Sequence, residues 1–316
     1  MNDNYPSEHF PIRELVKRTG VNASTLRAWE NRHGLIVPAR THSGHRLYSE
    51  KDVQRVRRLQ ELLAQGLSLN EIADVLESGN DVQPATATPS TQTNWQGYFI
   101  ETLRALEDFS TERLDALYNE ACALYPIDTL TQHLLIPVLQ HLGTRWDSRE
   151  SGIAEEHFFS AWLRNKLGAR LHHSAGLSKG KSLVLACLPH EHHEIGLLLF
   201  ALGALHRGFR VVYLGTNVPI RQIVHVVQKA HTAGIVLSGR DIVDPAPLLA
   251  DIAWLSHASR LPLFVGSHFA VQTHDALIQQ GALPLGNHIG NGLNLVESYL
   301  AKHGQRRARQ DARPVL

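Results

Sequence analysis

Regular alternation of apolar strand-length runs with helix-length segments constrains the second half of the chain most strongly. Ser182 to Cys187 is apolar after its first residue, and a polar loop and an apolar helix-length stretch follow it. Further runs recur at spacings that leave room for helices: Val211 to Leu214, Gly234 to Leu237, Leu263 to Val265 and Leu283 to Leu285. Strands that alternate with helices form parallel sheets. We therefore predict a flavodoxin-like, doubly wound, parallel five-stranded sheet over residues 177–303.

Candidate ligand-binding residues follow directly on these strands. Open parallel sheets bind ligands beyond the carboxyl ends of their strands. The residues in that position are His193, Gly215, Ser238 and Gly266, so one bound molecule could contact all four. In the loop after the first strand, Glu191, His193 and Gly196 have the spacing Glu-x-His-x-x-Gly.

That spacing resembles the signature of cobalamin-binding domains of the methionine synthase type. The resemblance implies that His193 is the axial ligand of cobalt, that Glu191 holds the other ring nitrogen, and that Gly196 lets the nucleotide tail pass the backbone. The family has Ser-x-Leu after the third strand and Gly-Gly after the fourth. This chain departs from both patterns at Arg240 and Ser267. Zinc or nickel binding by the neighbouring histidines is a weaker alternative, because no cysteine or further carboxylate stands at ligand spacing.

The composition is that of a multidomain intracellular protein. The chain has 316 residues, 43% of them hydrophobic and 19% charged, which is enough for more than one core. Cys122 and Cys187 are too few for a disulfide framework. The amino terminus has no signal-peptide pattern, and no run of about 18 apolar residues occurs. We expect a cytoplasmic protein with no membrane partner.

Basic residues are concentrated at the amino terminus, where residues 1–60 hold eleven Lys and Arg against six acids. A short amphipathic helix over Ile12 to Thr19, a turn, and a second helix over Ser24 to Arg32 predict a helix-turn-helix, with Asn22 or Ala23 as the cap of the second helix. That second helix would enter the major groove of DNA. Its predicted exposed residues are Ser24, Thr25, Arg27 and Glu30, with Leu26 and Trp29 packed inward.

Two short strands around Gly44 then form a basic wing, and two further helices complete a domain over residues 1–76. The run Thr25 to Leu35, followed by Arg40 and by Gly44 to Tyr48, resembles the MerR winged helix-turn-helix over residues 9–76. The resemblance implies double-stranded operator DNA as partner. It assigns DNA contacts to Thr25, Arg27, Arg32, Arg40, Arg46 and Tyr48, and also to Arg13 and His45. Ala28 stands where many members carry an aromatic residue.

Residues 77–94 contain two prolines, four threonines and few large apolar residues, which predicts a flexible linker. Helical periodicity returns over residues 95–176 and predicts a four-helix bundle. Its helices are expected over Tyr98 to Leu106, Leu114 to Leu124, Leu130 to Leu142 and His157 to Leu171. Such a bundle is either a spacer or dimer element, or the cap over the upper face of a corrin.

Trp146 precedes Glu156 and His157 at a spacing that resembles the adenosylcobalamin-dependent photoreceptor repressors of the CarH/LitR family. In that family the three residues lie over the upper face of the cofactor. In the dark, a tetramer of these repressors binds the operator. Light breaks the cobalt–carbon bond of the cofactor, and the tetramer then dissociates. Members that trap the photoproduct with a second histidine carry it beside the tryptophan, where this chain has Asp147. We therefore expect that product to be absent or to use another imidazole such as His157.

These patterns together predict a DNA-binding transcription repressor, a homo-oligomer (dimer or tetramer) controlled by bound adenosylcobalamin and by light. The alternative is a regulator of the MlrA type, whose cobalamin-like domain works without the cofactor. We expect no enzymatic activity, because cobalamin enzymes need a substrate domain of about 250 residues and the chain has no room for one. Residues 304–316 carry four arginines and are expected to form a basic disordered tail.

Overall fold

A computed structural model describes residues 9–41, 44–65, 67, 69–78, 89–144, 151–174, 176, 178–240, 242 and 244–311. The chain divides into two compact units, Met1–Trp162 and Leu163–Leu316. The first contains the amino-terminal domain and most of a helical bundle, and the second contains the sheet.

The helix-turn-helix consists of α1 (Ile12–Thr19) and α2 (Ala23–His33). Asn22 caps α2, because its side-chain oxygen accepts the backbone N–H of Thr25 at 2.8 Å. Gly20 and Gly34 end the two helices at φ of 73° and 62°, in the left-handed region that glycine adopts without strain. The predicted pair of helices is thus confirmed, with Asn22 as the cap.

The wing is an antiparallel pair of two-residue strands, β1 (Ala39–Arg40) and β2 (Arg46–Leu47), on either side of Gly44. Helix α3 (Glu50–Ala64) follows it and begins with a capping box between Ser49 and Asp52. Helix α4 (Leu69–Ser78) completes the domain.

The bundle contains α5 (Pro89–Glu107), α6 (Thr111–Leu124), α7 (Ile127–Leu130), a π-helix (Thr131–Leu135), α8 (Ile136–Gly143) and α9 (Gly152–Ser174). The predicted third helix, Leu130 to Leu142, is therefore irregular. Pro137 has no N–H to donate, and the N–H of Ile136 bonds the Thr131 carbonyl five residues back.

The sheet is parallel, in the order β4-β3-β5-β6-β7. Its strands are β3 (Ser182–Cys187), β4 (Arg210–Tyr213), β5 (Gly234–Ser238), β6 (Leu263–Gly266) and β7 (Ala282–Gly286). Apolar cores lie on both faces. Helices α10 (Ile195–His206) and α15 (Ile289–Asp311) cover one face, and α11 (Ile220–Ala230), α12 (Ala246–Ser259), α13 (His268–Gln272) and α14 (His274–Gln279) cover the other. The predicted doubly wound sheet is confirmed.

The predicted flexible linker and the predicted disordered tail both need correction. Helix α5 already begins at Pro89, so the predicted linker 77–94 is helical at both of its ends, and residues 79–88 lie outside the described residues. Helix α15 continues to Asp311, whereas disorder was predicted from residue 304. Arginine, glutamine and alanine dominate that extension, and all three favour the helix. Within the described ranges no helix is long and apolar enough to cross a membrane.

Candidate functional site

A buried carboxylate organises the loop after β3. Glu191 is 8% exposed, and its Oε1 accepts two bonds from His193, one from the backbone N–H and one from Nδ1, both at 2.7 Å. Its Oε2 accepts the backbone N–H of Arg240 at 2.6 Å. Because an ionised carboxylate only accepts, Nδ1 of His193 carries the proton. The ring is thereby fixed in one tautomer while its side chain stays 57% exposed.

The hydrogen bonds that Glu191 accepts from His193 and Arg240 favour the ionised form of its carboxylate. Burial alone raises the pKa of Glu191, but the bonds donated by the side chain and backbone of His193 and by the backbone of Arg240 outweigh burial and bring the pKa to about 2. Burial raises the pKa of the nearby Cys187 thiol to about 12, with Glu191 and Glu194 adding to the effect. Cys187 is therefore a neutral buried thiol.

The loop after β3 is bound to the loop after β4 by contacts that sequence reasoning missed. The N–H of His190 donates to the Asn217 side chain at 2.9 Å, and the N–H of Asn217 donates to the Glu191 carbonyl at 3.0 Å. The Tyr213 hydroxyl donates to Glu194 at 2.8 Å. His190 and Asn217 both have positive φ. Asparagine at the end of a strand was the available signal, because it tolerates that conformation.

The glycines of the predicted site differ in what surrounds them. A Cβ added to Gly196 would meet nothing within 4 Å, so open space lies beside the loop that bears His193. Gly215 has a φ of 81°, which glycine adopts without strain. Ser238 and Gly266 pair with each other at the ends of β5 and β6. The predicted residues thus share one edge of the sheet, and their arrangement fits a ligand held by His193 from that edge.

The two departures from the cobalamin pattern are compatible with this geometry. Arg240 acts on Glu191 through its backbone, which any residue supplies, and its side chain is exposed. Ser267 has a φ of 73°, a backbone conformation that favours the glycine found in the family. Gly239 was not singled out, yet a Cβ there would lie 2.5 Å from Leu188.

The predicted cap residues are only partly described. Trp146 and Asp147 lie outside the described residues. Glu156 and His157 lie on α9, where Glu156 accepts the Ser160 hydroxyl at 3.2 Å and His157 is exposed. Their role over a cofactor stays a prediction.

The exposed face of α2 differs from the prediction. Thr25 is fully buried and Glu30 is largely covered, so their predicted exposure is wrong; Thr25 lies one helical turn from the buried Trp29, on the inward face. Arg27 is exposed, and so is Asn31, which sequence reasoning missed although it lies one turn further along the same face. Both side-chain types suit base edges in the major groove.

The remaining predicted DNA contacts have mixed surroundings. Arg13 and His45 are exposed, and the side chain of Arg32 lies outside the described residues. Tyr48 is 1% exposed, and its hydroxyl has no partner among the described residues. The DNA contacts of Tyr48 and Thr25 stay predictions, because both side chains are buried in this structure.

Arg40 and Arg46 on the wing are both tied to α2. Each donates to the carboxylate of Glu30, Arg40 to Oε1 at 3.2 Å and Arg46 to Oε2 at 2.6 Å. The bond to Glu30 raises the pKa of Arg46. One carboxylate on the helix thereby joins both strands of the wing.

Trp29 packs inward as predicted, and its side chain also forms a hydrogen bond with the bundle. Its indole N–H donates to the carbonyl of Leu124 at the end of α6, at 2.8 Å. The amino-terminal domain is therefore docked on the bundle within the first unit.

Comparisons with known proteins agree with this architecture. The MerR HTH family regulatory protein model matches residues 10–79, and a B12 binding domain model matches residues 101–171, within the helical bundle. The HTH-type transcriptional repressor CarH of Myxococcus xanthus is 33% identical over 223 residues, which are 69% of this chain and 74% of CarH. The chain belongs to the MerR-family regulators of the CarH type.

A second relative of this MerR-family regulator is the repressor CarA of the same organism, 31% identical over 66% of this chain and 68% of CarA. Among solved structures, the monomethylamine corrinoid protein of Methanosarcina barkeri aligns with a TM-score of 0.52 and 16% identity, over 64% of this chain and 97% of that protein. That alignment shows a shared fold. The regulator is a DNA-binding transcription factor with a B12-binding domain, and both of these relatives are transcriptional repressors.

Proposed function

We propose that this regulator is a repressor whose oligomeric state and grip on operator DNA are controlled by adenosylcobalamin bound at His193. The hydrogen-bonded set of Glu191, His193 and the backbone of Arg240 carries the proposal. Metal-binding histidines usually donate their other ring N–H to a carboxylate, and this histidine does so at 2.7 Å. Nε2, the nitrogen not bonded to Glu191, is the one we assign to cobalt.

The other residues of the edge would hold the rest of the cofactor. Gly196 borders the open space for the nucleotide tail, and Gly215, Ser238 and Gly266 end the neighbouring strands. We assign the upper face to Trp146, Glu156 and His157 of the bundle. Adenosylcobalamin supplies, when bound, a cobalt–carbon bond that light can break. We also propose residues 1–76, 95–176 and 177–303 as reader, cap and cofactor domain.

DNA recognition falls to the amino-terminal domain. Arg27 and Asn31 present donors and acceptors from the exposed face of α2, and the wing arginines Arg40 and Arg46 supply positive charge for phosphates. Arg13 and His45 are exposed and suited to further phosphate contacts. An upper-face ligand that stabilises one oligomer would strengthen binding to repeated half-sites by multivalency.

The decisive experiment is an absorption spectrum of the chain incubated with adenosylcobalamin in the dark and desalted, beside gel filtration before and after green light. We expect a retained corrin spectrum of the histidine-ligated form, a change with light and a smaller oligomer afterwards. His193→Ala should abolish the histidine-ligated spectrum, whereas His192→Ala, a neighbouring exposed histidine, should retain it.

A second candidate function has a specific basis in Arg240 and Ser267, which place larger groups at the edge of the sheet than the cobalamin pattern does. In that case the chain regulates transcription without the cofactor, as proposed for the MlrA type. Complete loss of the corrin from the wild type on desalting, with operator binding intact, would establish it.

A further inference from the structure

We propose that Glu30 is a positioning residue that holds the wing at a set distance from the reading face of α2, and that operator specificity depends on it. The inference rests on DNA binding by the amino-terminal domain, the proposed function. Glu30 itself would not touch a base. It acts through the two arginines that it binds.

The geometry of the carboxylate is the first support. Its two oxygens bond different arginines, Arg40 on β1 and Arg46 on β2, at 3.2 Å and 2.6 Å. The Glu30 side chain is 11% exposed, whereas Arg40 and Arg46 are 55% and 28% exposed. The carboxylate is thus enclosed while both guanidinium groups still reach the surface. A charge held inside by two partners fixes their positions more firmly than a solvated ion pair does.

The position of Glu30 on α2 is the second support. Arg27 and Asn31, the exposed candidates for base contact, lie three residues before and one residue after it. The wing and the reading face are therefore attached to the same turn of helix. Base contacts lose their selectivity when the phosphate contacts that set the register of the protein on DNA can shift.

Charge is the third support. The domain has an excess of basic residues, and Glu30 lies between wing cations that we assign to phosphates. A carboxylate at that place opposes DNA binding in general, because it repels phosphate and neutralises its neighbours. The presence of Glu30 in a DNA-binding surface is explained if its carboxylate sets the position of the wing relative to α2. Removing its charge should accordingly lower specificity without lowering affinity for random DNA.

The test compares Glu30→Gln with wild type in the full chain. The probes are the duplex that wild type enriches most from a random pool and a scrambled duplex of equal length, with binding followed by fluorescence anisotropy. We expect the ratio of the two dissociation constants to fall at least about tenfold, while the affinity for scrambled DNA stays equal or rises. Glu61→Gln is the matched control, because Glu61 pairs with Arg58 on the solvent side of α3 and should leave the ratio unchanged.

A second background separates positioning from folding. In an Arg40→Gln, Arg46→Gln chain, Glu30→Gln should have no further effect on the ratio, because its partners are gone. If circular dichroism shows that Glu30→Gln fails to fold, Glu30→Asp, which keeps the charge but shortens the reach, should lower the ratio instead. An unchanged ratio in folded Glu30→Gln, or an equal loss in the double-arginine background, would overturn the inference. A wild type that enriches no sequence would overturn the proposed function itself.

Discussion

Glu191 links the candidate cofactor site to the stability of the sheet unit. Its folded pKa of about 2 lies below the ordinary glutamate value of 4.5, so its contribution to stability is present above pH 4.5 and is lost as the pH falls toward 2. We expect acidification from pH 5 to 2.5 to lower the free energy of unfolding of this unit by about 2–3 kcal/mol more in wild type than in Glu191→Gln. Chemical denaturation across that range measures the difference. Glu297→Gln, an exposed carboxylate in the same unit, should follow wild type, and a Glu191→Gln chain equally sensitive to acid would refute the assignment.

Two glycines near the site should respond differently to alanine. The Cβ of Gly196→Ala enters open space, so we expect the unfolding temperature to stay unchanged and corrin retention after desalting to fall. The Cβ of Gly239→Ala meets Leu188 at 2.5 Å, and Leu188 is fully buried, so this change should cost about 1–3 kcal/mol of stability. Unaltered corrin binding by Gly196→Ala would show that the tail does not pass there.

Packing of α2 on α6 includes one long-range hydrogen bond. Trp29→Phe keeps an aromatic ring in the buried site but removes the donor to the Leu124 carbonyl. We expect the first unit to lose about 1–2 kcal/mol, because a partly buried carbonyl then loses a hydrogen-bond donor. Denaturant unfolding followed by far-ultraviolet circular dichroism measures the loss. Trp254→Phe in the sheet unit is the control and should leave that transition in place; an equal shift in both variants would argue against a specific docking bond.

The regulator carries its two proposed binding activities on different parts of the chain. Arg27→Ala should weaken operator binding and relax base preference while corrin retention stays as in wild type. His193→Ala should show the opposite pattern: operator binding that no longer responds to adenosylcobalamin or to light. Anisotropy and absorption spectra of both variants test this separation. If Arg27→Ala lowers the affinity for operator DNA and for scrambled DNA equally, Arg27 is a phosphate contact.

Prediction from sequence succeeded where a pattern is local. The strands from Ser182 onward and the helices α1 and α2 follow from apolar periodicity and cap residues, which act over a few positions. The Glu191 and His193 pair is local as well, since the two residues are separated by one position. Errors arose where composition was taken as disorder, as in the extension of α15 to Asp311. Thr25 was misplaced because a short helix gives a weak signal for which polar residue faces inward.

The residue types and spacings were sufficient for the fold class, the family and the pairing of Glu191 with His193, because each depends on neighbours along the chain. They were insufficient to predict the hydrogen-bond partners of individual side chains. The third donor to Glu191 is the backbone N–H of Arg240, and every non-proline residue has such a group. Trp29 meets a carbonyl 95 positions away, and Glu30 joins two strands of a wing. Such contacts follow from packing, since only the folded chain decides which distant donor reaches which acceptor.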